Sequence, residues 1–298
     1  MFRRDRMIRL VIDSGTDQNE WFQDNFNFGF IPLTIILEEK AYLDKKDISQ
    51  KELHRFLREG KFAATSQPSP GEVMEILETY RKNKDQVIIV SVWKKISGTY
   101  QVIKSVVEEY KEKYPDFKVT LIDSNSGSGA ATILSIQILE MIDAGYDYEE
   151  IVEQAQWNAE HLSIYLTVED LKWLVKSGRL SGVAGFIGSA LKVKPLLTVD
   201  DEKIYADGMV RGNKRIYKKM VERIKEDTQS FPEQLYCISH VGEKENAEAL
   251  EQLIKEEIPT AKTMIFDFGA VLAAHIGIGG VAVAAMTEKP KNYLLSEN

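Results

Sequence analysis

Residues 87–92 read Val-Ile-Ile-Val-Ser-Val, a β-branched run with no alternation between apolar and polar positions. A strand with one wet face alternates with a period of two. An unbroken run of this length instead fits a strand covered on both faces, the position of an inner strand in a parallel sheet. Both flanks carry helix signals. Upstream, Ser69-Pro70-Gly71-Glu72 is a capping box with proline at the first helical position, which predicts a helix through Tyr80. Downstream, Val102, Val106, Val107 and Tyr110 recur at helical spacing behind Gly98. Residues 8–12, 31–37 and 119–122 read as further strands, and a capping box at Ser49 and Glu52 opens a helix that stops by Gly60. Two more helices follow, one to about Ala144 and one from Tyr148 to Glu160. Such alternation implies parallel β-α-β units and a sheet covered by helices on both sides.

The second half reads differently. Residues 163–168, 194–199, 203–205, 234–240, 262–268 and 281–286 are candidate strands, with helices expected at 169–176, 212–227 and 243–256. Asp200-Asp201-Glu202 has the composition of a hairpin turn, which calls for antiparallel pairing. A chain of 298 residues accommodates two domains of ordinary size. The expected fold class is α/β in two domains: an N-terminal parallel-sheet α/β domain at 1–158, and a C-terminal α+β domain with a mixed or antiparallel sheet at 159–298.

Composition narrows the function classes. With 44% hydrophobic and 28% charged residues, the chain has material for a sizeable core. A net charge of −8 argues against general affinity for nucleic acid or anionic membrane surfaces, since both rest on basic patches. A single cysteine, Cys237, cannot form an internal disulfide, so a reducing, cytoplasmic compartment is expected. The apolar stretch behind the basic start is too short for a signal-peptide core, and Met7 offers an alternative start. Residues 269–286 carry no Asp, Glu, Lys or Arg, but four glycines and His275 favour a buried turn between core elements over a membrane span. The four histidines are not paired at ligand spacing, and no P-loop, nucleophile elbow or HExxH pattern occurs. Neither metal nor cofactor is expected.

Three strand ends carry Ser/Gly/Thr loops: Asp13 to Thr16, Ser97-Gly98-Thr99, and Asp123 to Gly129. In an open parallel sheet these loops gather at the carboxyl edge, where helix amino ends and hydroxyls suit an anionic oxygen. Thr65-Ser66-Gln67-Pro68-Ser69-Pro70-Gly71 is more specific, because two prolines stiffen a loop that presents two hydroxyls. His275 stands beside Gly277 and Gly279, where backbone can approach a ligand closely. The Gly277, Gly279, Ala282 spacing mimics a dinucleotide fingerprint, but too few residues follow it to supply the acidic partner. Read from residues alone, Ser97 and His275 leave a serine-dependent acyl ester hydrolase as an alternative. The basic stretch from Arg211 to Lys219 is either a solvated helix face or a docking surface for an acidic partner or a nucleotide.

Taken together, these pieces resemble the DegV family. The resemblance rests on Asp13-Ser14, Thr65 to Gly71, Ile96-Ser97-Gly98-Thr99-Tyr100-Gln101, Asp123-Ser124, Ser177-Gly178-Arg179-Leu180-Ser181, Lys194-Pro195-Leu196, Asp207-Gly208 with Arg211, and His275 to Gly279. It spans nearly the whole chain. It implies a tunnel between the domains that holds a long-chain fatty acid, with no catalysis by the chain itself. It also implies a partner: a separate ATP-binding fatty acid kinase subunit that makes acyl phosphate, a phospholipid precursor, from the presented carboxylate. By this likeness the fatty-acid site comprises Thr65, Ser66, Ser97, Gly98, Thr99, Arg179, His275 and Gly277. Thr65, Ser97 and His275 would contact the carboxylate and Arg179 would support them, while Arg211 falls where the kinase docks. The sequence departs from the family pattern at Ile278, where the family has proline, and at Gly178, which follows Ser177 rather than a second glycine.

Overall fold

The computed structural model describes residues 7–179, 193–200 and 203–295. The first half runs β1 (Ile8–Asp13), α1 (Glu20–Asn25), β2 (Phe28–Ile31), β3 (Thr34–Leu37), β4 (Lys40–Leu43), α2 (Gln50–Arg58), β5 (Ala64–Ser66), α3 (Pro70–Asn83), β6 (Gln86–Ser91), α4 (Thr99–Lys113), β7 (Val119–Asp123), α5 (Ser128–Asp143) and α6 (Tyr148–Glu160). The second half runs β8 (Leu162–Thr167), α7 (Lys172–Ser177), β9 (Val193–Val199), β10 (Ile204–Arg211), α8 (Asn213–Asp227), β11 (Leu235–His240), α9 (Lys244–Glu257), β12 (Lys262–Asp267), α10 (Ala270–Ile276) and β13 (Val281–Met286).

Strands β2-β1-β6-β7 form a wholly parallel sheet in that order. The unbroken apolar run at 87–92 falls mainly in β6, an inner strand whose Val87 to Val90 are fully buried. A second sheet has the order β10-β9-β8-β13-β11-β12, antiparallel except for the β11–β12 pair. The fold is therefore mixed α/β, with a parallel sheet and a separate mixed sheet. Between the two lies α5, which packs on β1 and β6 on one side and on β8, β11 and β13 on the other. Its residues from Ser128 to Leu139 are all buried, as expected of a helix apolar around its circumference. The few polar groups within it are bonded: Thr132 Oγ1 donates to the Asp17 carbonyl at 2.9 Å, and Ser135 Oγ to the Ala131 carbonyl at 2.7 Å. Helices α3 and α4 cover the outer face of the parallel sheet, and α8 and α9 that of the mixed sheet.

Three departures from the sequence reading have local causes. Residues 31–37 form two strands in different sheets. Pro32 has no N–H to give a ladder, and Leu33 N–H turns to Ser14 Oγ at 2.9 Å. β3 then joins β4 and β5 in a small antiparallel sheet that the sequence reading lacked. Ahead of the expected strand at 281–286, which is β13, the uncharged run holds helix α10 where a turn was expected, because Ala270 to Ala274 contain nothing that breaks a helix. Strand β10 reaches Arg211 instead of ending at 205, continuing through a bulge between Ala206 and Gly208. At the expected hairpin, Asp200 N–H meets the Lys203 carbonyl at 3.1 Å; Asp201 and Glu202 lie outside the described residues. Among the described residues no helix is long and apolar enough to cross a membrane.

Candidate functional site

The three Ser/Gly/Thr loops of the parallel sheet converge on one cavity, to which they contribute Gly15, Ser97 and Ser126 to Ser128. The opposite wall comes from the mixed sheet and from α10. Ile164 and Leu166 of β8, Val199 of β9, Ile204 of β10 and Val271 and Leu272 of α10 make it apolar. Four residues singled out from the sequence also line it: Thr65, Ser97, Arg179 and His275.

Each is fixed by a local device. Thr65 sits on β5 opposite Ile35, and strand alternation leaves it half-buried while its neighbour Ser66 is exposed. Thr65 Oγ1 lies 2.9 Å from His275 Nε2, a bond between groups 210 positions apart. His275, on α10, is only 8% exposed, and its Nδ1 has no partner among the described residues. Burial, with the Arg179 guanidinium adding to it, pushes the His275 imidazole down to about 4, so the ring is neutral at pH 7. Ser97 Oγ lies 2.9 Å from Thr99 Oγ1 and accepts the Thr99 N–H at 3.2 Å, which sets the first turn of α4. Gly98 leaves room for Gln67, whose Oε1 would lie 2.3 Å from a β-carbon there, so the Thr65 loop and the Ser97 loop pack together.

Arg179 follows Gly178, whose left-handed backbone (φ 70°) ends α7, and its Nη1 donates to the Ser177 carbonyl at 2.6 Å. Leu180 and Ser181, the rest of that motif, lie outside the described residues. Gly277 caps α10 with φ 79°, and a β-carbon on it would come within 2.4 Å of the Trp173 ring. Both conditions require glycine. Ser66, Gly98, Thr99 and Gly277 therefore surround the cavity-lining residues without lining the cavity themselves. Arg211 is exposed at the end of β10, outside the cavity lining.

Sequence reasoning missed the apolar wall, and it missed Asp17. This carboxylate is fully buried. It accepts Ser128 Oγ at 2.5 Å and the Gly269 N–H at 2.7 Å, so it ties the β1 loop to the starts of α5 and α10. Burial outweighs these donors and pushes the Asp17 carboxyl up to about 6. Asp13 behaves alike: burial raises it to about 6 although Gly15 N–H, Val92 N–H and Ser91 Oγ all donate to it. An unfolded Asp titrates near 3.9. Between about pH 4 and pH 6 the folded chain thus binds more protons than the unfolded one, and stability contributed at low pH is lost as pH rises through that window. The difference in unfolding free energy between the parent and Asp17→Asn, from urea titrations at pH 4 and pH 7, is expected to change by about 2–3 kcal/mol. A difference that stays constant with pH would refute the assignment.

The fold and cavity define an α/β protein of two main sheets built around one mainly apolar chamber with a small polar cluster. A profile described as "Uncharacterised protein, DegV family" matches residues 7–288. The chain belongs to the DegV family. It is 27% identical over 282 residues to a DegV domain-containing protein of Clostridium acetobutylicum, covering 95% of this chain and 98% of that one. Among solved structures, a DegV family protein of Ruminococcus gnavus refined with vaccenic acid superposes with a TM-score of 0.85 at 25% identity, covering 94% of this chain and 100% of that one. A fatty acid binding DegV family protein of Streptococcus agalactiae matches with a TM-score of 0.83 at 28% identity, covering 96% of this chain and 100% of that one.

Proposed function

We propose that this chain is a cytoplasmic carrier that binds a long-chain fatty acid between an N-terminal domain (1–158) and a C-terminal domain (159–298), and offers its carboxylate to a fatty acid kinase subunit. One observation carries the reading: a mainly apolar chamber whose polar cluster joins Thr65 and His275 from opposite ends of the chain. The fatty acids associated with the R. gnavus and S. agalactiae relatives support it. The hydrocarbon tail lies against β8, β9, β10 and α10, where burial contributes about 0.8 kcal/mol per CH₂. About fifteen methylenes therefore supply on the order of 10 kcal/mol before the costs of association. A carboxylate withdrawn from water needs donors. The Thr65 and Ser97 hydroxyls, the neutral His275 ring and the Arg179 guanidinium supply them, while one carboxylate oxygen stays open to a phosphoryl donor.

The hydrolase alternative needs a nucleophile bonded to its base. Here Ser97 Oγ bonds to Thr99 and His275 Nε2 bonds to Thr65, an arrangement that favours gripping over attack. The carrier reading is tested by combining the purified chain with a bacterial ATP-binding fatty acid kinase subunit, ATP and palmitic acid. Acyl phosphate is expected to accumulate, and Arg211→Glu is expected to slow it by about tenfold or more with acid affinity retained, since exposed interfacial charges act mainly on association. Absence of acyl phosphate with the parent chain would refute the kinase role.

A further inference from the structure

Two polar groups in the cavity wall are not used by the carboxylate grip described above. Trp93 and Ser126 both line the cavity and are 2% and 4% exposed. They are held side by side, because the Trp93 backbone N–H donates to the Ser126 carbonyl at 2.8 Å. The Ser126 backbone is also pinned from the other direction: its carbonyl accepts Ser124 Oγ at 2.8 Å and its N–H reaches the same oxygen at 3.4 Å. These bonds occupy the backbone of both residues and leave their side chains free. Neither the Trp93 indole N–H nor the Ser126 hydroxyl has a hydrogen-bond partner among the described residues, and neither belongs to the polar atoms sealed away from all accessible space. Val92, Ile96 and Leu272 give hydrocarbon to the same lining, and Ser97, whose N–H donates to the Trp93 carbonyl at 3.2 Å, places the pair close to the carboxylate end.

A purely apolar tail running past such a pair would strip water from an N–H and an O–H and return nothing. Leaving buried polar groups unsatisfied in this way is costly. A wall built only for hydrocarbon would carry phenylalanine and alanine at these two places. An indole N–H is solely a donor and a hydroxyl both donates and accepts, so the pair suits a ligand oxygen that accepts one bond and exchanges another. We propose that Trp93 and Ser126 form a second oxygen-binding subsite, which makes the cavity select acyl chains bearing a hydroxyl group over the unsubstituted acid. The inference rests on the acyl reading of the cavity given above. It extends that reading from a chain of any kind to a hydroxylated one. Discrimination of this sort is strong in principle, because a site built to bond a substrate hydroxyl rejects the analogue that lacks it.

The test measures dissociation constants for palmitic, 2-hydroxypalmitic and 3-hydroxypalmitic acids with the delipidated full chain and with two variants, Trp93→Phe and Ser126→Ala. The parent is expected to bind at least one hydroxy acid about tenfold or more tightly than palmitic acid. Each variant, checked for native circular dichroism, is expected to bring that ratio to within about twofold of unity. Equal affinity for hydroxylated and plain acids in the parent overturns the proposal. So does a ratio that persists in both variants while all three acids weaken together, which would make the pair part of the carboxylate grip. If the parent binds none of the acids, the acyl reading itself falls and takes the subsite with it.

Discussion

Replacing Leu272 by aspartate is expected to weaken the binding of palmitic acid by at least about 100-fold while leaving the fold intact. Leu272 lies one turn before His275 on α10 and lines the cavity, so a tail reaching away from the Thr65–His275 cluster along this helix must cover it. A carboxylate at that place would be buried under hydrocarbon without a partner, at a cost of several kcal/mol, and each 1.4 kcal/mol is tenfold in affinity. The residue is itself half-buried, so the unliganded protein can keep the new charge in contact with water. Titration with a fluorescent or radiolabelled acid, beside a urea unfolding curve, separates the two effects. Affinity equal to that of the parent would mean that the tail does not run along α10.

The second large effect concerns the seam between the sheets. A β-carbon on Gly269 would sit 2.4 Å from the Ser14 carbonyl oxygen and 3.5 Å from that of Thr16. Its φ of −50° is open to any residue, so the constraint is space alone. The obstructing atoms are backbone at the end of β1, where Asp13 and Asp17 hold the chain, and they cannot swing aside as a flexible side chain would. Gly269→Ala must therefore push the β1 loop away from the start of α10 and stretch the Gly269 N–H bond to Asp17. A loss of about 3 kcal/mol is expected, combining overpacking with a weakened buried acceptor. Gly71→Ala is the control, because in α3 its β-carbon would meet only Ser69 Oγ at 3.9 Å. Urea midpoints should fall for the first variant and hold or rise for the second. Equal midpoints would show that the seam can relax.

How much of this was readable beforehand depended on the range of the forces involved. The capping boxes at Ser49 and Ser69 formed as their spacing implied, because both partners lie within four residues. β6 became an inner strand because its apolar run fits no other environment. The small sheet β4-β3-β5 escaped notice since its strands are three or four residues long and carry little pattern. Helix α10 was hidden by its alanines, which look alike in a turn and in a short helix.

The site divides in the same way. Thr65, Ser97 and His275 stood out because a hydroxyl loop, a helix start and a histidine beside glycines carry local signals, whereas Arg179 came only through the family resemblance; the fold brings all four to one cavity. Ser66 stood out equally, yet the alternation of β5 turns it to solvent. Ile164, Leu166, Val199 and Ile204 gave no warning, since only the pairing of β8, β9 and β10 decides which face of an apolar strand meets the chamber.

The most direct measurement of the central claim is the mass of whatever the cavity holds. The chain purified from a bacterial host, washed in aqueous buffer and then denatured in organic solvent should release a long-chain acid of about fourteen to eighteen carbons, close to one per protein molecule, as the proposed acyl ligand of one mainly apolar cavity requires. Release of no acyl chain, together with failure of the delipidated protein to take up any added long-chain acid, would contradict the account.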